Sequence, residues 1–324
     1  MSYNKNFLFL VSDYMSKYTM RDISGKENVK IIYKRALSKN PILNAFFCFY
    51  LSSGANKKIS LPFKSIIYKQ IFKLKFKENK PLCITLSSPW YDKQLIKYFR
   101  KHYPDCKLII RFGDTVKTAL SNNPQLSLDI IKDDFDSAIA YNPDDASDYN
   151  ILFHPVGYSA IPKEELPTLP KSDVAFIGAA KDRLPLIREL YHRFTNAGLK
   201  CDFYVTEVPE SKRLNDGIVY GDKNLSFPEY IAREAASDCL LEILQKGSTG
   251  RTYRMMEAII YNKKLITNCP EIKDTPYYNK DYVLYFEDEG QITADFVNKD
   301  IGVVDYNYQN DFSPVKYLKF LNEI

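Results

Sequence analysis

The sequence is short of metal-ligating and crosslinking residues. Its three histidines, His102, His154 and His192, lie far apart without ligand spacing, so neither a protein-held metal nor a resident cofactor is expected. The six cysteines (Cys48, Cys83, Cys106, Cys201, Cys239 and Cys269) form no C-x-x-C pair. Several sit in apolar, strand-like runs, where a free thiol behaves as a small hydrophobe; a reducing cytosol is the expected setting. Long apolar runs are also lacking. Pro41 to Leu51 falls short of the ~18–20 residues that a membrane-spanning helix needs. The opening MSYNKNFLFLVSD is too short in apolar run for a signal peptide, and Asp13 closes it, so a buried first strand is expected instead. The basic residues are lysines with few arginines for bidentate base contacts, which argues against a nucleic-acid partner.

What is present fits a folded α/β protein. At 324 residues the chain has about twice the ~150 residues of a usual domain. Its 45% hydrophobic and 26% charged residues exclude disordered, collagenous and coiled-coil classes. The net charge of +5 hides an asymmetry: residues 1–160 carry +10 and the remainder −5. The first half is therefore expected to meet something anionic, such as a membrane face or a phosphorylated acceptor.

Along residues 1–160, strand-like and helix-like segments alternate. They are Asn6–Ser12, a Lys-rich stretch to Lys39, Ala45–Leu51, a basic amphipathic segment, Leu82–Ser87, Asp92–Lys101, Lys107–Phe112, Leu126–Asp133 and Ala138–Tyr141. Ser88-Pro89 offers an N-cap followed by Pro at a first helical position. Such alternation implies a parallel sheet covered on both faces. The stretch HPVGYSAIPKEELPTLPKS has four prolines between Pro155 and Ser172 and no apolar periodicity, and reads as a connector. A second α/β series follows: strands at Asp173–Ile177, Cys201–Thr206, Cys239–Leu244 and Lys264–Thr267, with helices at Arg183–Ala197, Phe227–Ala236 and Arg251–Tyr261. Ser313-Pro314 opens a final helix. The expected domains are 1–160 and 161–324, two Rossmann-like units facing a cleft lined by strand carboxyl ends, where open α/β sheets bind ligands.

Three segments carry chemistry. In VAFIGAAKDRLPLI a strand ends at Gly178, and Lys181 and Arg183 stand near the start of a helix, an arrangement suited to a diphosphate. In LLEILQKGSTGRTYRMMEAIIYNKKLIT a strand leads into the loop Gly247-Ser248-Thr249-Gly250, whose backbone and hydroxyls suit phosphate oxygens, and a helix follows with Arg251, Thr252, Arg254 and Glu257. Arg254 and Glu257 share a helical face; the arginine can hold a diphosphate and the carboxylate a ribose. In SLPFKSIIYKQIFKLKFKENK, Phe63, Ile66, Ile67, Ile71 and Leu74 follow helical spacing, with Lys69, Lys73 and Lys77 as a stripe and Lys57, Lys58, Lys64, Lys75 and Lys80 around it. The Lys-rich segment 57–80 is the candidate contact with an anionic membrane surface or a lipid phosphate.

The run GRTYRMMEAIIYNKKLITNCPEI resembles the signature of bacterial lipopolysaccharide and capsule biosynthesis glycosyltransferases, with a Gly-Thr loop, R-x-x-E-A and K-K-L-I-T-N. VAFIGAAKDRL, FDSAIAYNPDDASDYNILFHPVGY and RFGDTV resemble further segments of the same proteins, so that the likeness runs from about Lys107 to Thr267. The resemblance implies the two-domain GT-B architecture and transfer of a sugar, of the hexosyltransferase type, from a nucleotide-sugar substrate without a site metal. It implies Glu257 on the ribose and Arg254, Lys181 and Arg183 on the diphosphate. Retaining members often show Glu-x7-Glu; eight residues before Glu257 stands Thr249, so an inverting reaction is expected. That chemistry needs a base to deprotonate the acceptor hydroxyl, and Asp114 and Asp13, both at strand ends, are the candidates.

The expected partners are thus a nucleotide-sugar donor and a saccharide or lipid-linked acceptor, with the protein cytoplasmic or peripheral at the inner membrane face. A nucleotide-sugar epimerase and a non-catalytic binding partner of the same fold are the alternatives.

Overall fold

The computed structural model describes residues 3–12, 15–52, 54–56, 61–222, 225–245 and 250–324. The chain forms two compact units, one of residues 1–159 together with 312–324, the other of residues 160–311. The division falls after Ser159. The last helix, Val315–Glu323, belongs to the first unit rather than the second.

The first unit holds six parallel strands: β1 (Asn6–Val11), β2 (Val29–Tyr33), β3 (Leu82–Ser87), β4 (Lys107–Arg111), β5 (Ser137–Ala140) and β6 (Leu152–Phe153). Their order is β2-β1-β3-β4-β5-β6. Strand β1 is buried on both faces, as a central parallel strand must be. Leu8 and Leu10 join a core with Tyr68, Phe72, Leu95 and Phe99, whereas Phe7 and Phe9 on the opposite face join Tyr317, Leu318 and Leu321 of the terminal helix. That helix therefore covers one face of the sheet. Its approach is close: a Cβ at Gly157 would lie 3.1 Å from the Pro314 Cα.

Local sequence explains where segments differ from expectation. The Lys-rich stretch before Lys39 contains β2, with only Val29, Ile31 and Ile32 as its apolar signal. The expected segment Ala45–Leu51 falls in the helix Pro41–Tyr50 except for Leu51, just past its end, and the first amides of that helix are capped by the Asn40 side chain. Ser88-Pro89 opens a 3-10 turn; the helix Lys93–His102 starts later, with Asp92 accepting from the Gln94 N–H at 2.8 Å. The basic helix is shorter than its periodicity suggests, Lys64–Ile71, so Lys69, Lys73 and Lys77 form no continuous helical stripe. Lys64 is fully buried and paired with Asp92, while Phe63 and Ile66 face outward. Lys57 and Lys58 lie outside the described residues.

The second unit is also a six-stranded parallel sheet: β7 (Ser172–Ala179), β8 (Cys201–Thr206), β9 (Val219–Tyr220), β10 (Ser237–Glu242), β11 (Lys264–Thr267) and β12 (Val283–Tyr285). The order β12-β11-β10-β7-β8-β9 is the 3-2-1-4-5-6 order of nucleotide-binding sheets read from the other edge. Strand order reverses between β7 and β10. Val174 and Phe176 of β7 pack with Ile187, Leu190 and Phe194 of the helix Leu184–Asn196, Phe203 of β8 and Leu241 of β10.

Candidate functional site

The gap between β7 and β10 is built by strand divergence. Their register runs Ser172↔Ser237, Val174↔Cys239 and Ala175↔Leu240 and goes no further, although β7 continues to Ala179 and β10 to Glu242. Carbonyls freed from a ladder need other donors. Two arginines supply them. Arg254, in the helix Tyr253–Ile260, donates from Nη1 to Leu241 O at 3.3 Å and from Nη2 to Ile177 O. Arg183, just before the helix Leu184–Asn196, donates to Ile243 O, just past β10, and to Ala179 O at the end of β7, each two residues further along the chain. The two guanidinium carbons stand 5.9 Å (Arg183) and 5.1 Å (Arg254) from the centroid of the Phe176 ring.

Behind Arg254 lies a buried ionisable cluster. Arg254 Nε donates to Glu234 Oε1 at 3.0 Å, and Glu234, from the helix Phe227–Ala236, is fully buried. Glu257 is fully buried as well, and its Oε2 accepts from the Tyr230 hydroxyl at 2.9 Å. As ionised groups, Glu234 Oε2 and Glu257 Oε1 would be buried without a donor among the described residues. A proton resolves this, because a protonated Glu257 can donate to Glu234. Burial, and then the Glu234 carboxylate, push Glu257 well above the usual carboxylate range, in keeping with that arrangement. Burial opposes the charge of Arg254, but Tyr230 and the two glutamates around it more than offset this and hold it cationic. Arg183 is shifted the other way: burial, and then the like charge of Arg254, lower its hold on its proton.

The remaining expected residues are accounted for individually. Lys181, at φ 46°, donates from Nζ to Gln245 Oε1 at 2.6 Å and is exposed. Arg251 is held by Glu271, with Nε to Oε1 at 2.9 Å and its backbone N–H to Oε2 at 2.7 Å. Thr252 precedes the Tyr253–Ile260 helix and donates its hydroxyl to Glu242, the buried last residue of β10, which also accepts from Thr267. Burial raises the Glu242 carboxyl, and these two hydroxyls oppose that rise. Gly250 is buried, and its carbonyl faces the Cys269 thiol. Gly247, Ser248 and Thr249 lie outside the described residues, as does Asp13. Asp114 follows β4, half-buried, with Oδ1 accepting from the Thr115 N–H at 2.8 Å.

The structure thus brings Gly178, Arg183, Arg254 and Glu257 together and adds Glu234 and Tyr230, which sequence reasoning missed. Glu257 differs from the open ribose ligand that the resemblance implies, because its carboxyl is turned inward. Gly178 stands at the mouth of the gap. A methyl group built there would meet only Arg254 Nη2, at 3.7 Å, among the described residues. The protein's own packing therefore does not require glycine at 178.

No protein-family model matches the chain. No curated protein sequence matches it either. Among solved structures it is similar to trehalose-6-phosphate synthase OtsA, at 9% identity over 98% of this chain and 99% of that one, with a TM-score of 0.52. A UDP-forming trehalose-phosphate synthase from Burkholderia xenovorans aligns over 98% and 97% at 10% identity and a TM-score of 0.49. UDP-N-acetylglucosamine 2-epimerase from Rickettsia bellii aligns over 99% and 95% at 12% identity and 0.46. At such identity the likeness shows the fold alone: two doubly wound α/β units of the GT-B type. Nothing in these comparisons ties the chain to lipopolysaccharide or capsule assembly.

Proposed function

We propose that the protein is a glycosyltransferase that binds the diphosphate of a nucleotide-sugar at the carboxyl ends of β7 and β10. The observation that carries this reading is the pair Arg183 and Arg254, fixed across the point where strand order reverses, with open backbone at Gly178 beside them. Open α/β sheets take ligands at such a point. Two cations held by backbone carbonyls need no reorganisation as a diphosphate leaves, and so stabilise the charge that develops in the transition state. Lys181 adds a third, exposed cation on the same loop. Glu257 acts behind Arg254 as a positioning residue, together with Glu234 and Tyr230. Asp114 is the proposed general base, taking the acceptor proton on Oδ2 in an inverting transfer to a saccharide or lipid-linked acceptor of surface-polysaccharide assembly.

Calorimetry with uridine and guanosine diphosphates and with the bare nucleosides tests the donor site. Gly178→Ala should leave the melting temperature unchanged and weaken diphosphate binding about tenfold, and Arg183→Ala should weaken diphosphates far more than nucleosides. Parent-like binding by both variants would move the site elsewhere. Product formation from a nucleotide-sugar only when a saccharide acceptor is present separates transfer from epimerisation. Asp114→Asn should then lower turnover by about 100-fold with donor binding preserved.

A further inference from the structure

The helix Pro41–Tyr50 turns one apolar side inward and another outward. Phe47 is buried, whereas Ile42, Phe46 and Phe49, spaced i, i+4 and i+7, are 81%, 50% and 68% exposed. Phe63 and Ile66 at the start of the next helix are 74% and 58% exposed. The two segments are tied together: the Tyr50 hydroxyl donates to Pro62 O at 2.6 Å, buried Asn56 donates from Nδ2 to Tyr50 O at 2.8 Å, and Asn56 Oδ1 accepts from the Leu61 N–H at 2.9 Å. Phe46 packs on the Tyr50 ring at 5.4 Å. Phe63 sits at φ 56°, a costly backbone conformation for an aromatic residue, and still presents its ring outward. These hydrogen bonds tie the two water-facing apolar faces together.

The segment that carries the patch has charge of one sign in sequence. Between Glu27 and Glu78 the sequence has eleven lysines and arginines and no aspartate or glutamate. Arg35, Lys39, Lys69, Lys73 and Lys75 are exposed. Exposed apolar side chains on a strongly basic segment match an anionic bilayer surface: aromatic and aliphatic side chains enter the headgroup–acyl boundary while lysines meet lipid phosphates. A second copy of the chain is a poorer fit, since two such faces would set like charges against each other.

We propose that Ile42, Phe46, Phe49, Phe63 and Ile66, with the surrounding lysines, form a docking surface for an anionic phospholipid bilayer. This surface lies wholly in the first unit and stands apart from the donor reading. The full chain should sediment with vesicles of phosphatidylglycerol and phosphatidylcholine at low salt, and at least tenfold less with phosphatidylcholine alone or at 0.5 M salt. Phe46→Ser with Phe49→Ser should reduce sedimentation at least tenfold while melting as the parent does. Phe49→Trp should shift its emission to the blue on anionic vesicles only, against a constant background from buried Trp90. Failure to bind anionic vesicles, binding unchanged in the double variant, or a parent dimer that the double variant converts to monomer would each overturn the proposal, the last by assigning the face to a second copy.

Discussion

Arg183 and Arg254 do the same structural task two residues apart: each guanidinium spans from a β7 carbonyl to a carbonyl in or just past β10 where the strand ladder has ended. They differ in what stands behind them. Arg254 has the buried carboxylate Glu234, whereas Arg183 lies near Arg254 itself.

That difference predicts unequal costs of removal. Arg254→Ala leaves Glu234 buried without its cation, and urea unfolding should show a loss of about 3–5 kcal/mol, the range for breaking one side of a buried pair. Adding Glu234→Gln to Arg254→Ala should recover part of that loss. A double variant no more stable than the single would mean that the pair is not coupled.

The Glu257 carboxyl binds its proton more tightly folded than unfolded. The stability this contributes is present in full below the ordinary glutamate value and is lost as pH rises above it toward the raised native value. Glu257→Gln, which keeps a donor toward Glu234, should flatten that decline and cost under about 1.5 kcal/mol at pH 5. Glu257→Ala should cost about 1–3 kcal/mol there. Thermal melts across pH 4–8 provide the check, and a parent whose slope matches that of the glutamine variant would refute the shared proton.

Lys34 carries the opposite sign. Burial pushes its ammonium down to about 8 from 10.5, with Lys64 adding repulsion and Asp92 opposing it. The unfolded chain holds that proton more tightly, so stability should rise with pH between about 8 and 10.5. Lys34→Met should remove this rise, as measured by urea midpoints over that window.

Much of the scaffold was legible because strand and helix periods are local. β1, β3, β4, β7, β8, β10 and β11 all stand where apolar runs mark them. The short edge strands β9 and β12, of two and three residues, leave no such mark, and β2 is diluted by lysine. The site was legible only along the chain. Helical spacing points Arg254 toward Glu257, yet its ion-pair partner is Glu234, twenty residues earlier, and Arg251 finds Glu271 twenty residues later. Those partners arrive through the packing of separate elements on one sheet, which no local period records. The Lys-rich segment was legible as basic and amphipathic but not in its extent or facing: the helix ends at Ile71, Lys64 is buried against Asp92 twenty-eight residues away, and Phe63 and Ile66 face outward.

The terminal helix should be worth several kilocalories to the first unit. Leu318 and Leu321 are fully buried against Phe7 and Phe9 of β1. Leu318→Ala should lower stability by about 2–5 kcal/mol, as buried leucine truncations do. A loss under ~0.5 kcal/mol in denaturant titration would mean that this face of the sheet does not depend on the helix.

Because the first unit is completed by residues 312–324, its synthesis is interrupted by the whole of the second. At the ~5–20 residues per second of translation, about 150 intervening residues impose a delay of roughly 8–30 s. Until it ends, Phe7 and Phe9 lack the Tyr317, Leu318 and Leu321 that pack on them in the finished fold. The unit that is begun first is thus the last to have its whole sequence.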